Sequence, residues 1–354
     1  MLAPHPTRVP LPATEVTWYR TKLPPDVSAR LHTLSDVKAA AQTLSFLGQL
    51  AIWGVAAVYF SVTGHPYAAL AFLLLYGMQA NFLINAMHEL GHGSVFRTAW
   101  LNHFFLRVVS FLGWLHPDLF FSSHLRHHRY TQHGFPLDME NPMPIVITLN
   151  DFLGFGFINV RGFVDIVMRQ TLFAALGIFP TGHLGWRPEW EAILYPDAAP
   201  HERDAPIVWA RVLVIGHLAI AAASISRGLY LVPIIVSFGP FLNGWLFFLC
   251  NATQHVGLHP KVNDFRLNSR TFYVNNWLVA HWYWMMNWHT EHHMYSAVPC
   301  YNLAALHEAI RHDLPPAHNG IAAVWRVIVQ DLRRQARDLS FVEEILLPKQ
   351  RKVE

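Results

Sequence analysis

Histidines are concentrated in three short motifs of this 354-residue chain, which contains 23 of them. The first motif, "HELGH", places His88 and His92 one helical turn apart. The second and third motifs, "HLRHH" and "HTEHH", share the pattern H-x-x-H-H, and their histidines are His124, His127, His128, His289, His292 and His293. Residues three or four apart share a helix face, whereas adjacent residues diverge by about 100°. The repeated pattern therefore predicts a site for two metal ions.

The first motif also fits H-E-x-x-H, the helical zinc motif of metalloproteases, in which the glutamate activates water. A catalytic zinc needs three protein ligands and an open position, so a protease would leave at least five clustered histidines without a role. The sequence L-D-G, expected in a membrane protease of this kind, does not occur. We therefore expect Glu89 to orient an imidazole rather than to act as a general base. A membrane zinc protease remains an alternative of another class.

The composition indicates a membrane protein. Hydrophobic residues make up 53% of the chain and charged residues 14%, where a soluble domain has about 25% charged residues. A spanning helix needs about 20 mostly apolar residues, and segments 42–62, 67–87, 207–225 and 229–250 meet that requirement. Short connections join them into two hairpins. The shorter segments 101–115 and 145–160 contain His103 and Asp151, and we expect them to lie as helices at the membrane interface.

Charge distribution predicts the orientation. Lysine and arginine lie mainly in the N-terminal segment, between the hairpins and after residue 260, while the hairpin tips carry only Arg227. By the positive-inside rule, both termini and the histidine motifs face the cytoplasm. We expect a cytoplasmic or interfacial segment at 1–40, a membrane domain at 41–300 and a cytoplasmic helical segment at 301–354. The net charge of +3 comes without a basic run, which argues against nucleic-acid binding.

Other reactive side chains have ordinary explanations. Cys250 and Cys300 form no C-x-x-C motif, and we expect them to be apolar fillers. His217, in the third predicted span, is expected to form hydrogen bonds between helices. The isolated histidines are expected at the surface or satisfied in the core, and they are His5, His32, His65, His183, His201, His307, His312 and His318.

The three motifs resemble the histidine boxes of the membrane fatty acid desaturase and hydroxylase superfamily, whose members bind a non-haem diiron centre. The resemblance covers roughly residues 80 to 300. It implies an all-α integral membrane fold, with four transmembrane helices in two hairpins and a cytoplasmic histidine-rich diiron cap. It also implies a further ligand from "CNATQHVG" after the last span, with His255 bound directly and Asn251 acting through water. Spacing alone would have selected neither residue.

The resemblance implies two iron ions, dioxygen as co-substrate and oxidation of C–H bonds in a fatty acyl chain. Formation of a double bond is the leading expectation, while hydroxylation, and oxidative decarboxylation of a free fatty acid to a terminal alkene, remain open. The chain lacks an H-P-G-G cytochrome b5 signature and a cysteine cluster. Electrons are therefore expected from a separate ferredoxin, or from cytochrome b5 with its reductase. The H-x-x-x-H first box differs from the H-x-x-x-x-H common in acyl-CoA desaturases, which leaves the acyl carrier open.

Two further sets of charged residues are candidates for the site. Asp138 and Glu140, in "LDMENP", could hydrogen-bond ligand imidazoles and fix their tautomers, or could lie in a solvated loop. Lys261, Arg266 and Arg270 could hold an anionic head group, or could be ordinary basic residues of the interface.

Overall fold

A computed structural model describes residues 16–140, 153–154, 156–177 and 200–348, with only the backbone described at 200–203. The regular secondary structure of the described residues is almost entirely helical. Its strands are two short parallel ones, β1 (Phe272–Tyr273) and β2 (His318–Asn319). The all-α expectation is thus confirmed for the described residues.

The first hairpin consists of long apolar helices. Helix α1 (Pro25–Leu31) precedes α2 (Asp36–Val62), and the turn after α2 leads into α3 (Pro66–Ala80) and α4 (Leu83–Gly91). Helices α3 and α4 together form one apolar segment of 26 residues, which ends at the first histidine box. Both spans predicted for this hairpin are confirmed as apolar helices long enough to cross a membrane.

The second box lies on a bent pair of helices. Helix α5 (Ala99–Gly113) ends where Trp114 adopts a left-handed conformation, with φ of 55°. Helix α6 (Pro117–Tyr130) then begins with proline at its first turn, at an angle of 105° to α5. The pair has the length and hydropathy of one span, but its bend makes it a broken span or a re-entrant element. Segment 101–115, which was expected to lie at the interface, is therefore helical, and it leads through the bend into α6, the helix that carries box two.

The next described segment contains a π-helical stretch. Helix α7 (Val160–Phe163) continues through a π-helix at Val164–Thr171 into α8 (Leu172–Ala175). The interfacial helix predicted for 145–160 lies largely outside the described residues. Helix α9 (Pro200–Ile225) contains the third predicted span, which is confirmed as an apolar helix over residues 204–225.

The fourth predicted span, 229–250, is not one continuous helix. It begins as α10 (Leu231–Pro233) and passes through a π-helix at Ile234–Phe238 and a 3₁₀ turn at Gly239–Phe241, before α11 (Trp245–Asn251) resumes. Pro240 has no backbone N–H to donate, and Asn243 adopts φ of 52°. The segment therefore does not form the single spanning helix predicted for it, because hydropathy does not register these interruptions. The described residues contain three long apolar helices, or four spans if the bent pair counts as one.

The histidine cap is built from short helices. These are α12 (Phe265–Asn268), α13 (Trp277–Trp282), α14 (His289–Met294), α15 (Leu303–Ile310) and α16 (Ile321–Gln335), with a 3₁₀ turn at Cys300–Asn302. One hydrophobic cluster joins α2, α4 and the cap, and it includes fully buried Phe46, Trp284 and Leu306. Box three therefore packs on the same core that holds box one.

Candidate metal centre

Nine histidines form two compact groups. Within each group, one potential ligand atom from every residue lies within 4.8 Å of the others. The first, the five-histidine group, is His88, His92, His124, His128 and His292. The second, the four-histidine group, is His127, His255, His289 and His293.

The two H-x-x-H-H motifs are divided between the groups in opposite ways. Helix α6 gives His124 and His128, four residues apart, to the five-histidine group and His127 to the other. Helix α14 gives its pair, His289 and His293, to the four-histidine group and its middle histidine to the five-histidine group. A step of four residues returns to nearly the same helix face, whereas adjacent side chains diverge by about 100°. Each helix therefore serves both groups.

The ring nitrogens face one another at distances that suit a shared cation. The Nε2 atoms of His124 and His128 are 2.9 Å apart, and those of His255 and His289 are 2.8 Å apart. The Nε2 atom of His92 is buried without a hydrogen-bond partner among the described residues. Ligands about 2.1 Å from one metal ion and at right angles are about 3 Å apart. The donor set therefore fits two metal ions that prefer imidazole, such as iron, zinc or copper.

For three rings of the four-histidine group, the electrostatics favour the neutral imidazole, which is the form that binds metals. Burial lowers the pKa of His255 to about 3. Burial, together with neighbouring imidazoles, holds the pKa of His289 and that of His293 well below the usual value. At neutral pH these rings keep one proton each, and the free nitrogen is available as a ligand.

Carboxylates determine which nitrogen carries that proton. Glu140 lies 3.0 Å from Nδ1 of His124, and Asp138 lies 3.1 Å from Nδ1 of His127. A carboxylate accepts a hydrogen bond from Nδ1–H, which leaves the unprotonated Nε2 directed into the group. Asp138 and Glu140 thus contact rings of the two groups instead of lying free in solvent.

Glu89 occupies the same kind of position in box one. Its Oε1 atom accepts from Nδ1 of His88 at 3.0 Å and lies 3.5 Å from Nδ1 of His292. The side chain is 1% exposed. The hydrogen bond to His88 is that of a residue that orients a ligand ring, which differs from the water-activating glutamate of a zinc protease.

The segment after α11 places His255 in the four-histidine group. Its Nδ1 donates to the Asn268 carbonyl at 2.7 Å, and its other nitrogen faces His289. Asn251 belongs to neither histidine group, and its side-chain oxygen accepts from Asn85 and Gln254, both at 3.2 Å.

Sequence reasoning missed a buried pair behind box three. Glu291, within "HTEHH", accepts from Nδ1 of His307 at 2.5 Å and also accepts from the Thr271 hydroxyl. The Tyr273 hydroxyl lies 3.0 Å from Nε2 of His307. His307 is therefore a satisfied core histidine, as expected of isolated histidines. The role of Glu291 could have been suspected from the sequence, because box one and box three each carry a glutamate between their histidines, Glu89 and Glu291.

The basic head-group candidates are placed differently from one another. Arg266 and Arg270 are each 5% exposed. Arg266 pairs with Asp264 and Asp313, and Arg270 pairs with Glu343. Two arginines expected near a membrane surface are thus structural, because each guanidinium already has internal acceptors.

Lys261, the third candidate, is exposed. Cys250 and Cys300 are buried free thiols, as expected. His217 bonds the Ser237 hydroxyl and the Phe111 carbonyl, which confirms its predicted role between helices.

Comparison with known proteins agrees with this arrangement. The family model described as fatty acid desaturase matches residues 63–325, which include all nine grouped histidines. A search of curated protein sequences found no match. The matched segment covers most of the chain and contains the boxes in their expected order. The chain belongs to the fatty acid desaturase family.

Proposed function

We propose that this protein is a membrane diiron oxidoreductase that uses dioxygen and external electrons to introduce a double bond into a fatty acyl chain. The observation that carries the proposal is the division of nine histidines into two adjacent groups by the same two helices. A protein that bound a single zinc ion would leave one of the two histidine groups without a metal.

Two iron ions would be held by the nine histidines, with Asn251 proposed to act through water. When bound, such a pair supplies dioxygen reduction and removal of hydrogen from an unactivated C–H bond, which acid–base side chains do not achieve. The protein's own contribution is to fix the ligand rings through Glu89, Asp138 and Glu140.

Apolar side chains flank the five-histidine group. The Phe120 ring stacks on His124 with centroids 4.8 Å apart, and the Phe121 ring lies 5.9 Å from His92. Both phenylalanines are partly exposed, as are His92 and His128. An alkyl chain placed against these rings would lie beside the group and displace water from it. We therefore propose that the acyl chain approaches the five-histidine group.

We further propose that the site lies on the cytoplasmic side of the membrane, and that residues 1–40 and 301–354 lie there too. Support comes from the positive-inside rule. Cysteine labelling from each side of the membrane, with cysteines introduced at exposed Lys22 and Arg227, tests this orientation. Labelling of both positions from the same side would contradict it.

Metal analysis tests the proposed cofactor. Purified protein is expected to bind about two iron ions per chain. His128→Ala and His293→Ala should lose iron and turnover while still inserting into membranes, because each removes one ligand from a different group. One zinc ion per chain, with activity retained by both variants, would reject the diiron assignment and favour the protease alternative.

Product analysis tests the reaction. A deuterated saturated fatty acid, supplied with dioxygen and a reducing partner, should give mainly an unsaturated product of unchanged carbon number. A hydroxy acid would identify a hydroxylase, and an alkene one carbon shorter with released carbon dioxide would identify a decarboxylase. The position of the acyl chain decides between these reactions, because a small displacement of the chain changes which atom lies nearest to the oxidant. Iron-loaded protein that gives no lipid product would reject the acyl substrate.

A further inference from the structure

A file of three aromatic rings joins the protein surface to the four-histidine group. The Trp18 indole stacks on Phe265 with centroids 4.0 Å apart and planes 8° apart. Phe265 is 0% exposed, and its ring lies 5.2 Å from that of His293. Trp18 itself is only partly buried. The file therefore begins at the surface and ends on a ligand ring.

The surface around Trp18 is basic. The indole N–H donates to the Arg129 carbonyl, and the ring meets His133 edge-on at 5.6 Å. His133 is linked to Asn263, close to Lys261, whose backbone N–H bonds the Gln132 carbonyl. We call Trp18, Arg129, His133 and Lys261 the entry patch.

The two cations of the entry patch are exposed and available. Neither Arg129 nor Lys261 has an ion pair with an acid in the part of the chain that the structure describes. Asp264 and Asp313, which lie close to the patch in the fold, are paired with Arg266, and Asp138 faces His127 and the Gln132 backbone N–H. The positive charge at the patch is thus directed to solvent, where it attracts an acidic surface.

We propose that an acidic one-electron carrier protein docks on the entry patch and delivers electrons through Trp18, Phe265 and His293 towards the metal ions that the two groups would hold. The inference rests on the proposed function, which requires an external electron source. Alkene formation takes two electrons and two protons from the substrate, and with two electrons from the carrier and two protons from water it reduces dioxygen to two waters. The carrier loses one electron at each of two encounters.

Phe265 is neither oxidised nor reduced at the potentials of such carriers. The electron would therefore pass through the packed rings without residing on Phe265. A stacked ring pair without a gap conducts an electron better than loosely packed or hydrated side chains. A carrier docked on the entry patch would approach the four-histidine group. The five-histidine group, which Phe120 and Phe121 flank, would remain accessible to the acyl chain. Electrons and substrate would then reach different groups.

Charge reversal tests the docking surface. The double variant Arg129→Glu with Lys261→Glu should weaken binding of a plant-type ferredoxin to metal-free protein about tenfold at low salt, with little difference at high salt. Arg227→Glu, at the tip of the second hairpin, reverses one positive charge away from the patch, as each single substitution does within it, and should bind as wild type does. Binding that the double variant leaves unchanged would overturn the docking surface.

Small reductants of opposite charge test the route with iron-loaded protein. In anaerobic stopped-flow experiments, the double variant should slow bleaching of the ferric absorbance by dithionite and accelerate bleaching by reduced methyl viologen, a cation. Trp18→Leu should slow both donors, and Trp18→Phe should restore the rate because it retains a stacked ring. Equal rates for wild type and Trp18→Leu would overturn the route.

The two arms separate this inference from the proposed function. Protein that binds no iron would reject the proposed function, while ferredoxin binding to the metal-free chain would still decide the entry patch. Protein that binds two iron ions, forms its lipid product and is reduced at rates insensitive to the patch would reject this inference alone.

Discussion

Removal of His307 tests whether the pair behind box three holds the metal centre. The change His307→Ala leaves Glu291 with the Thr271 hydroxyl as its remaining side-chain partner. Both members of the pair are buried, with side-chain exposures of 4% for His307 and 0% for Glu291. Solvent therefore cannot screen the loss. Glu291 precedes His292 and His293 on α14, so any movement of its carboxylate displaces ligands of both groups.

The size of the effect follows from burial. Breaking a buried pair by removing one partner costs about 3–5 kcal/mol. At about 2 °C for each kcal/mol, the melting temperature should fall by about 6 °C or more. Iron content should also fall below that of the wild type, since α14 supplies three of the nine histidines. Thermal unfolding in detergent and metal analysis of the same preparation measure the two effects.

His217→Ala is the matched control. It removes a buried histidine that bonds Ser237 and the Phe111 carbonyl, far along the sequence from any box and outside both histidine groups. It should cost about 1–3 kcal/mol and leave the iron content unchanged. If His307→Ala keeps both its full iron content and its melting temperature, the reasoning about the Glu291 pair is refuted.

Three further predictions concern other parts of the chain. His255→Ala should lose iron and turnover as fully as loss of a box histidine, whereas Asn251→Ala should lose less because solvent can partly replace a water-mediated contact; equal losses in metal assays would contradict this. Gly77→Ala should destabilise the fold by about 1–3 kcal/mol, because a Cβ there would lie 2.7 Å from the Leu242 carbonyl oxygen, and an unchanged melting temperature would refute it. Burial and a neighbouring carboxylate raise the pKa of Asp331 to about 6; an acid whose folded pKa is raised stabilises the fold less as pH rises from about 4 to about 6, so Asp331→Asn should raise the melting temperature more at pH 8 than at pH 4, and equal gains would count against it.

The box histidines could be predicted from sequence because helical geometry alone relates their spacing to their direction. The division of His127 from His128 follows from the same geometry, as does that of His292 from His293. His255 needed the family resemblance, since a lone histidine carries no periodicity.

The parts that could not be predicted depend on contacts between distant segments. Hydropathy identified segment 229–250 but not its break, which arises from Pro240 and from the left-handed conformation of Asn243. The basic residues near the boxes suggested a head-group site, but Arg270 is buried against Glu343, which lies 73 residues further along the chain. Such a pairing is set by tertiary packing and leaves no local pattern.

The C-terminal position of the last supporting contacts bears on how the protein is made in the cell. His88 leaves the ribosome more than 200 residues before His307, and Glu343 follows later still. At about 5–20 residues per second, roughly 10 s or longer passes between synthesis of the first box and synthesis of His307 and Glu343, which support the segment around box three. If the two groups hold iron, as we propose, stable loading is expected only after these C-terminal residues have been synthesised. A premature stop shortly after residue 300 would leave a chain that carries all nine grouped histidines but lacks His307 and Glu343, and we expect it to retain less metal than the full chain.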